Sequence, residues 1–184
     1  MMNPVQSAPH RMAAFWGVIG VMAVIVYAIV RLAAFVTGAL ALDLDAVQRL
    51  ALLVNVVFMA WSEGYRGFQL KFAPRVAARA LYLCRYSTSK TARLLAPFFC
   101  VGYFSASGRT LLFAWAGTIG IVMLVLFVNR LDQPWRGIID AGVVVGLSWG
   151  LVSLVVAAAA TFRAGRYLVS PEVPDRYTSR KIDN

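Results

Sequence analysis

The side chains best equipped for chemistry sit together in Trp61-Ser62-Glu63-Gly64-Tyr65-Arg66, where a long apolar run ends and the most basic part of the chain begins. Glutamate and tyrosine can exchange protons, and an arginine fork can hold a carboxylate or a phosphate. At about 100° per residue, Asn55, Ser62, Glu63 and Arg66 share one face of a helix. A charge at the edge of an apolar span is costly and is usually paired or turned toward a cavity. Glu63 is therefore expected to be ionised and paired with Arg66, one turn on, or with Arg75 or Arg79 if the chain folds back. The plainer reading makes the stretch an interfacial anchor, with Trp61 and Tyr65 at headgroup level and the charges solvated there.

Catalysis finds little support beyond that cluster. The chain holds no P-loop, HExxH or dinucleotide fingerprint. The cluster itself brings no second carboxylate and no histidine, so no catalytic residue is assigned and the reading leans away from an enzyme. Cys84 and Cys100 stand sixteen apart with no histidine or further cysteine near them, and the single histidine, His10, lies in a polar N-terminal stretch. Zinc, haem and iron–sulfur sites therefore lack ligands, and no metal or cofactor is expected.

The elements that must position these residues are membrane-spanning helices. Of 184 residues, 60% are hydrophobic and 14% charged, against about 45–50% and 25% in soluble domains. The excess falls in continuous runs near the ~20 residues that cross a bilayer, without the period-two alternation of a β-barrel. The expected fold is all-α and integral to the membrane, one domain over 1–184. Spans are read at about 14–38, 46–65, 110–128 and 137–162, as two helical hairpins. The apolar run Ala13–Leu42 is about twice a signal-peptide core and is interrupted by Arg31, so it is read as a retained span. Arg31 is placed near the far interface, where it can snorkel outward.

Between the hairpins, residues 70–107 read as an interfacial segment. Pro74 can open a helix in which Phe72, Val76, Ala80 and Leu83 line one side while Lys71, Arg75 and Arg79 recur every fourth residue on another. Such a basic amphipathic helix is expected to lie flat on an anionic leaflet. Residues 94–107, with Pro97 and Gly102, are too short to span and are read as interfacial or re-entrant. Residues 163–184 read as a polar cytoplasmic tail. Nucleic acid is not an expected partner, because the basic residues sit within a few positions of spans and alternate with apolar anchors.

Charge sets the orientation. The formal charge is +10, and fourteen of the eighteen Lys and Arg fall on the side that holds both termini and the 66–109 connection. By the positive-inside rule that side is cytoplasmic, which gives N-in/C-in in a bacterial inner membrane. The fourth span carries the packing signal: Gly142, Gly146 and Gly150, extended by Ser153, make a stripe of small residues that admits a neighbouring backbone. Packing within the chain is preferred over homodimerisation. Ala116 and Gly120 give the third span a weaker version, and Arg136 lies four residues before Asp140, the spacing of a helical ion pair.

Two functions fit. The first is a non-catalytic accessory, assembly or scaffold subunit that binds partner helices of other membrane subunits and anionic lipid. The second is a membrane enzyme or carrier for an anionic or amphiphilic substrate at Asn55, Trp61, Ser62, Glu63, Tyr65 and Arg66, with Lys71, Arg75 and Arg79. Size and the lack of a soluble domain favour the first. The topology has a direct check: reporter fusions after Asp45 and after Asn184 are expected to report opposite sides of the membrane, and same-side signals would remove a span.

Overall fold

The computed structural model describes residues 8–86 and 90–173. Among these the chain is all helical: α1 (Ala8–Leu40), α2 (Ala46–Met59), a π-helical segment (Ala60–Phe72), α3 (Ala73–Arg85), α4 (Lys90–Leu94), α5 (Ala96–Val101), α6 (Gly108–Val128) and α7 (Trp135–Ala164). Four continuous helices are long and apolar enough to cross a membrane: His10–Leu40, Ala46–Arg85, Gly108–Val128 and Trp135–Ala164. Arg176, Arg180 and Lys181 of the expected tail lie outside the described residues.

Local chemistry accounts for where the helices start and stop. Asp45 and Gln48 form a reciprocal cap on α2: Asp45 Oδ1 accepts from the Gln48 backbone N–H at 2.7 Å, and Gln48 Oε1 accepts from the Asp45 N–H at 3.0 Å. Ser107 caps α6 by accepting from the Thr110 N–H at 3.4 Å. Gly102 (φ 104°) ends α5 and Gly165 (φ 57°) ends α7, both in the left-handed conformation that glycine adopts without strain.

The second helix departs from expectation. Instead of breaking near residue 66 and lying flat, it runs straight on for 40 residues, through thirteen π-helical ones. Pro74 does occupy the first turn of α3, but no break precedes it. Proline has no N–H for the preceding turn, and its ring excludes the carbonyl four residues back. The wider i→i+5 pairing, which runs up to the bond from Ala73 N–H to the Phe68 carbonyl, accommodates both without ending the helix. Beyond it α3 is the most buried part of the chain, with Ala73, Val76, Ala77, Ala78, Ala80 and Leu83 at 0–1% exposure. Small alanines let α1, α5 and α7 close around it.

α7 is the central helix and packs on α1, α2, the π segment and α3. The helices joined by short loops, α1–α2 and α6–α7, make no extended contact with each other, so the expected hairpins are neighbours in sequence rather than packing partners. The glycines of α7 explain the first separation. A Cβ at Gly137 would lie 2.3 Å from the Ala39 Cβ, one at Gly142 2.3 Å from Asn55 Nδ2, and one at Gly150 2.5 Å from Phe68 Cγ. The stripe thus draws α2 and the π segment, running parallel to it, onto α7, while Gly137 receives the end of α1. Half-buried Ser153 continues it toward Leu154, which is fully buried. α1 uses the same device: added Cβ atoms would meet Cys100 Sγ at 2.7 Å from Gly17 and Pro97 Cγ at 2.4 Å from Gly20. So α5 folds back onto α1, and Trp16 Nε1 bonds the Leu94 carbonyl at 3.0 Å.

α6 stands apart. Only Thr110 and Val128, near its ends, are buried, and a Cβ at Gly117 or Gly120 would meet nothing within 4 Å. Among the described residues, no other helix packs against the Ala116/Gly120 pair.

These distances order the glycines by the cost of an added methyl. Gly142→Ala and Gly150→Ala are expected to destabilise by about 1–3 kcal/mol each, the usual cost of overpacking. Gly146→Ala, whose Cβ would lie 3.2 Å from the Glu63 Cβ, is expected to cost less, and Gly120→Ala nothing. Thermal melting of the purified chain in one detergent checks the ranking, and a Gly120→Ala loss equal to that of Gly142→Ala would refute it.

Candidate functional site

The candidate residues spread along the 40-residue helix into several environments. Asn55 is half-buried and bridges to α7, with Nδ2 donating to the carbonyls of Ile138 (2.8 Å) and Ile139 (3.3 Å). It is a helix–helix clasp seated on Gly142. Trp61 and Tyr65 stack with centroids 5.3 Å apart, Trp61 exposed and Tyr65 half-buried. Ser62 bonds its own helix, donating to the Phe58 carbonyl at 2.8 Å.

Glu63 and Arg66 are both exposed, and no ion pair within 4 Å joins Glu63 to a described cation. The expected pair is not formed, for a geometric reason. The π coil advances each residue by less than the about 100° of an α-helix, so positions three apart no longer stack. The same widening presents Gly64 to α7, where a Cβ would lie 2.9 Å from Trp149 Cγ, and the Trp149 indole N–H bonds Gln69 Oε1 at 2.7 Å. The contribution of Trp149 and Gln69 was hidden in the sequence, because 80 residues separate them.

Lys71, Arg75 and Arg79 do not form one basic face. Lys71 is exposed, Arg75 half-buried and Arg79 fully buried. The Arg79 guanidinium donates through Nε to the Phe99 carbonyl (2.6 Å), through Nη1 to that of Pro171 (2.9 Å), and through Nη2 to those of Phe104 (3.0 Å) and Ser105 (3.1 Å). It also lies over the Phe99 ring, 4.2 Å from the centroid. Glu172 supplies negative charge nearby, while its carboxylate takes the Thr110 hydroxyl hydrogen bond. Ser105 (φ 49°) and Glu172 (φ 51°) are the positive-φ non-glycine residues of the described chain, and both lie in this cage. The strained backbone turns its carbonyls inward onto a charge that has left water.

Two further groups are structural. Arg136 Nε stands 3.9 Å from Asp140 Oδ2, the ion pair that the four-residue spacing suggests, and its guanidinium lies 3.5 Å from the Phe35 ring centroid. Cys100 is fully buried, and burial pushes its thiol up to about 12, so it stays a neutral core side chain. Among the described residues no group of three His, Cys, Asp or Glu side chains comes together to hold a metal ion.

Arg79 and Glu63 are expected to differ sharply on substitution. Arg79→Met orphans four inward carbonyls and is expected to cost about 3–5 kcal/mol. Arg79→Lys, which lacks the fork, should recover little of that loss. Glu63→Gln and Arg66→Gln, at exposed unpaired positions, are expected to stay within about 0.5 kcal/mol. Melting curves in detergent measure all four, and a large loss at Glu63 would restore the buried-pair reading. No family model, curated protein or solved structure matches this chain.

Proposed function

We propose that this chain is a non-catalytic accessory or assembly subunit of a membrane, one that offers a helix to a partner membrane protein and holds anionic lipid at its basic end. The observation that carries the reading is α6. It is 21 residues long, about 32 Å at about 1.5 Å per residue, which matches a ~30 Å hydrocarbon core. No other described helix packs along its length. Tyr103, in the loop before it, reaches to mid-span, where it bonds Thr118 and packs edge-on against Trp115, 5.4 Å between centroids. At its C-terminal end Asn129 Oδ1 accepts from Arg136 Nη2 at 2.7 Å. Within the span, Ala116, Gly117 and Gly120 leave room for the close approach by which helices associate in lipid. The positive-inside asymmetry supports N-in/C-in in an inner membrane.

A carrier or enzyme for an anionic amphiphile, centred on Glu63, Tyr65 and Arg66, is the second reading. The π segment favours it, since π-helical turns recur at functional sites. Against it, those residues line neither the groove beside Trp16 and Leu94 nor the groove between α1, α3 and α7.

Photo-crosslinking in native membranes separates the readings. A crosslinker at Ile119 of α6 is expected to give one discrete protein adduct, weakened by Gly120→Leu, while one at exposed Val30 of α1 gives none. Lipid adducts alone at both positions would end the assembly reading.

A further inference from the structure

Near the basic end of the bundle, α1, α3 and α7 leave a groove of about 530 Å³ between them, within the about 300–1,000 Å³ of small-molecule sites. Its walls are apolar, with Val18 and Met22 from α1, Leu81 from α3 and Ala158 from α7. Two arginines line one end: Arg11 in the first turn of α1 and Arg85 at the last residue of α3. Arg85 lies over the Tyr167 ring, 5.4 Å from the centroid. Neither arginine has a described carboxylate within 4 Å, since Arg136 and Asp140 form the ion pair of the described residues.

From Arg11 to Met22 the groove follows eleven residues of α1, about 16 Å at about 1.5 Å per residue. That is the depth of one leaflet of a ~30 Å hydrocarbon core. Charge at one end, an apolar trough and a length of one leaflet together describe a single occupant. We infer that the groove holds one acyl chain of an anionic phospholipid, with Arg11 and Arg85 on its phosphate. Guanidinium forks suit phosphate oxygens, and a net-negative headgroup supplies the counter-charge that no described carboxylate gives these arginines. A zwitterionic lipid offers the same phosphate with a cation attached, and the pair of arginines selects against it. The inference rests on the anionic-lipid part of the proposed function and names its site.

The test uses the full chain, purified in detergent and offered palmitoyl-oleoyl phosphatidylglycerol or phosphatidylcholine, with bound lipid read by native mass spectrometry. The wild type is expected to retain phosphatidylglycerol in preference. Arg11→Gln/Arg85→Gln should bind it roughly thirtyfold more weakly, at about fivefold per charge. Ala159→Trp, which fills the trough without touching charge, should displace it as well, so a charge variant that fails to fold does not remove the test. Arg163→Gln/Arg166→Gln, exposed and outside the lining, should bind as the wild type does. If both groove variants keep the lipid while the control pair loses it, the groove is the wrong site and the anionic-lipid reading survives. A wild type that shows no headgroup preference overturns both.

Discussion

A guanidinium taken out of water is the constraint on which much of this structure depends. Arg79 sits at 0% exposure, and its N–H groups must be met by something. What meets them is backbone: the end of α5, the loop that follows it and the irregular run after α7 each turn carbonyls toward the same side chain. These segments come from both sides of α6, and Phe99, Phe104 and Tyr167 also pack them onto the apolar core. The charge therefore acts as a hub, and the two left-handed residues beside it, Ser105 and Glu172, mark where the chain bends to serve it. The cage also places the start of α6, because Glu172 takes a hydrogen bond from Thr110 and offers its carbonyl to the Ser107 N–H at 3.0 Å.

Around that hub, α7 supplies the packing. Its glycines remove the side chains that would hold α2 and the π segment at a distance, and Asn55, Met59 and Phe68 fill the space. Wide apolar helices need no hydrophobic drive to meet in lipid, but they do need close backbones and a few polar clasps. Asn55 to Ile138 and Trp149 to Gln69 are such clasps, 83 and 80 residues apart in sequence. Close packing thus concentrates on α7 and α3, and α6 is left outside it.

The apolar runs and the small-residue stripe were legible because each is a local pattern with a local cause. The Arg136–Asp140 spacing was legible for the same reason. Two readings failed where a local pattern was assigned the wrong surroundings. Arg79 recurs at four residues from Arg75, which looks like a solvated basic face, yet the cage that accepts it comes from residues 20 to 92 positions away. Glu63 and Arg66 are one turn apart only if the turn is α, and no propensity announces thirteen π-helical residues ending at a proline. The groove between α1, α3 and α7 was invisible for a related reason: Arg11 and Arg85 look unrelated until the second helix is known to continue past residue 66.

The uninterrupted run from Ala46 to Arg85 has one more consequence. Forty continuous residues exceed the about 20 that cross a hydrocarbon core, yet α3 stays against α1 and α7 to its end, where a Cβ at Gly165 would lie 3.8 Å from Arg85 Nη2. There α5, the 102–107 loop and the run after α7 gather around it through Arg79. The Arg79 cage therefore closes only when Pro171, beyond the last span, is in place.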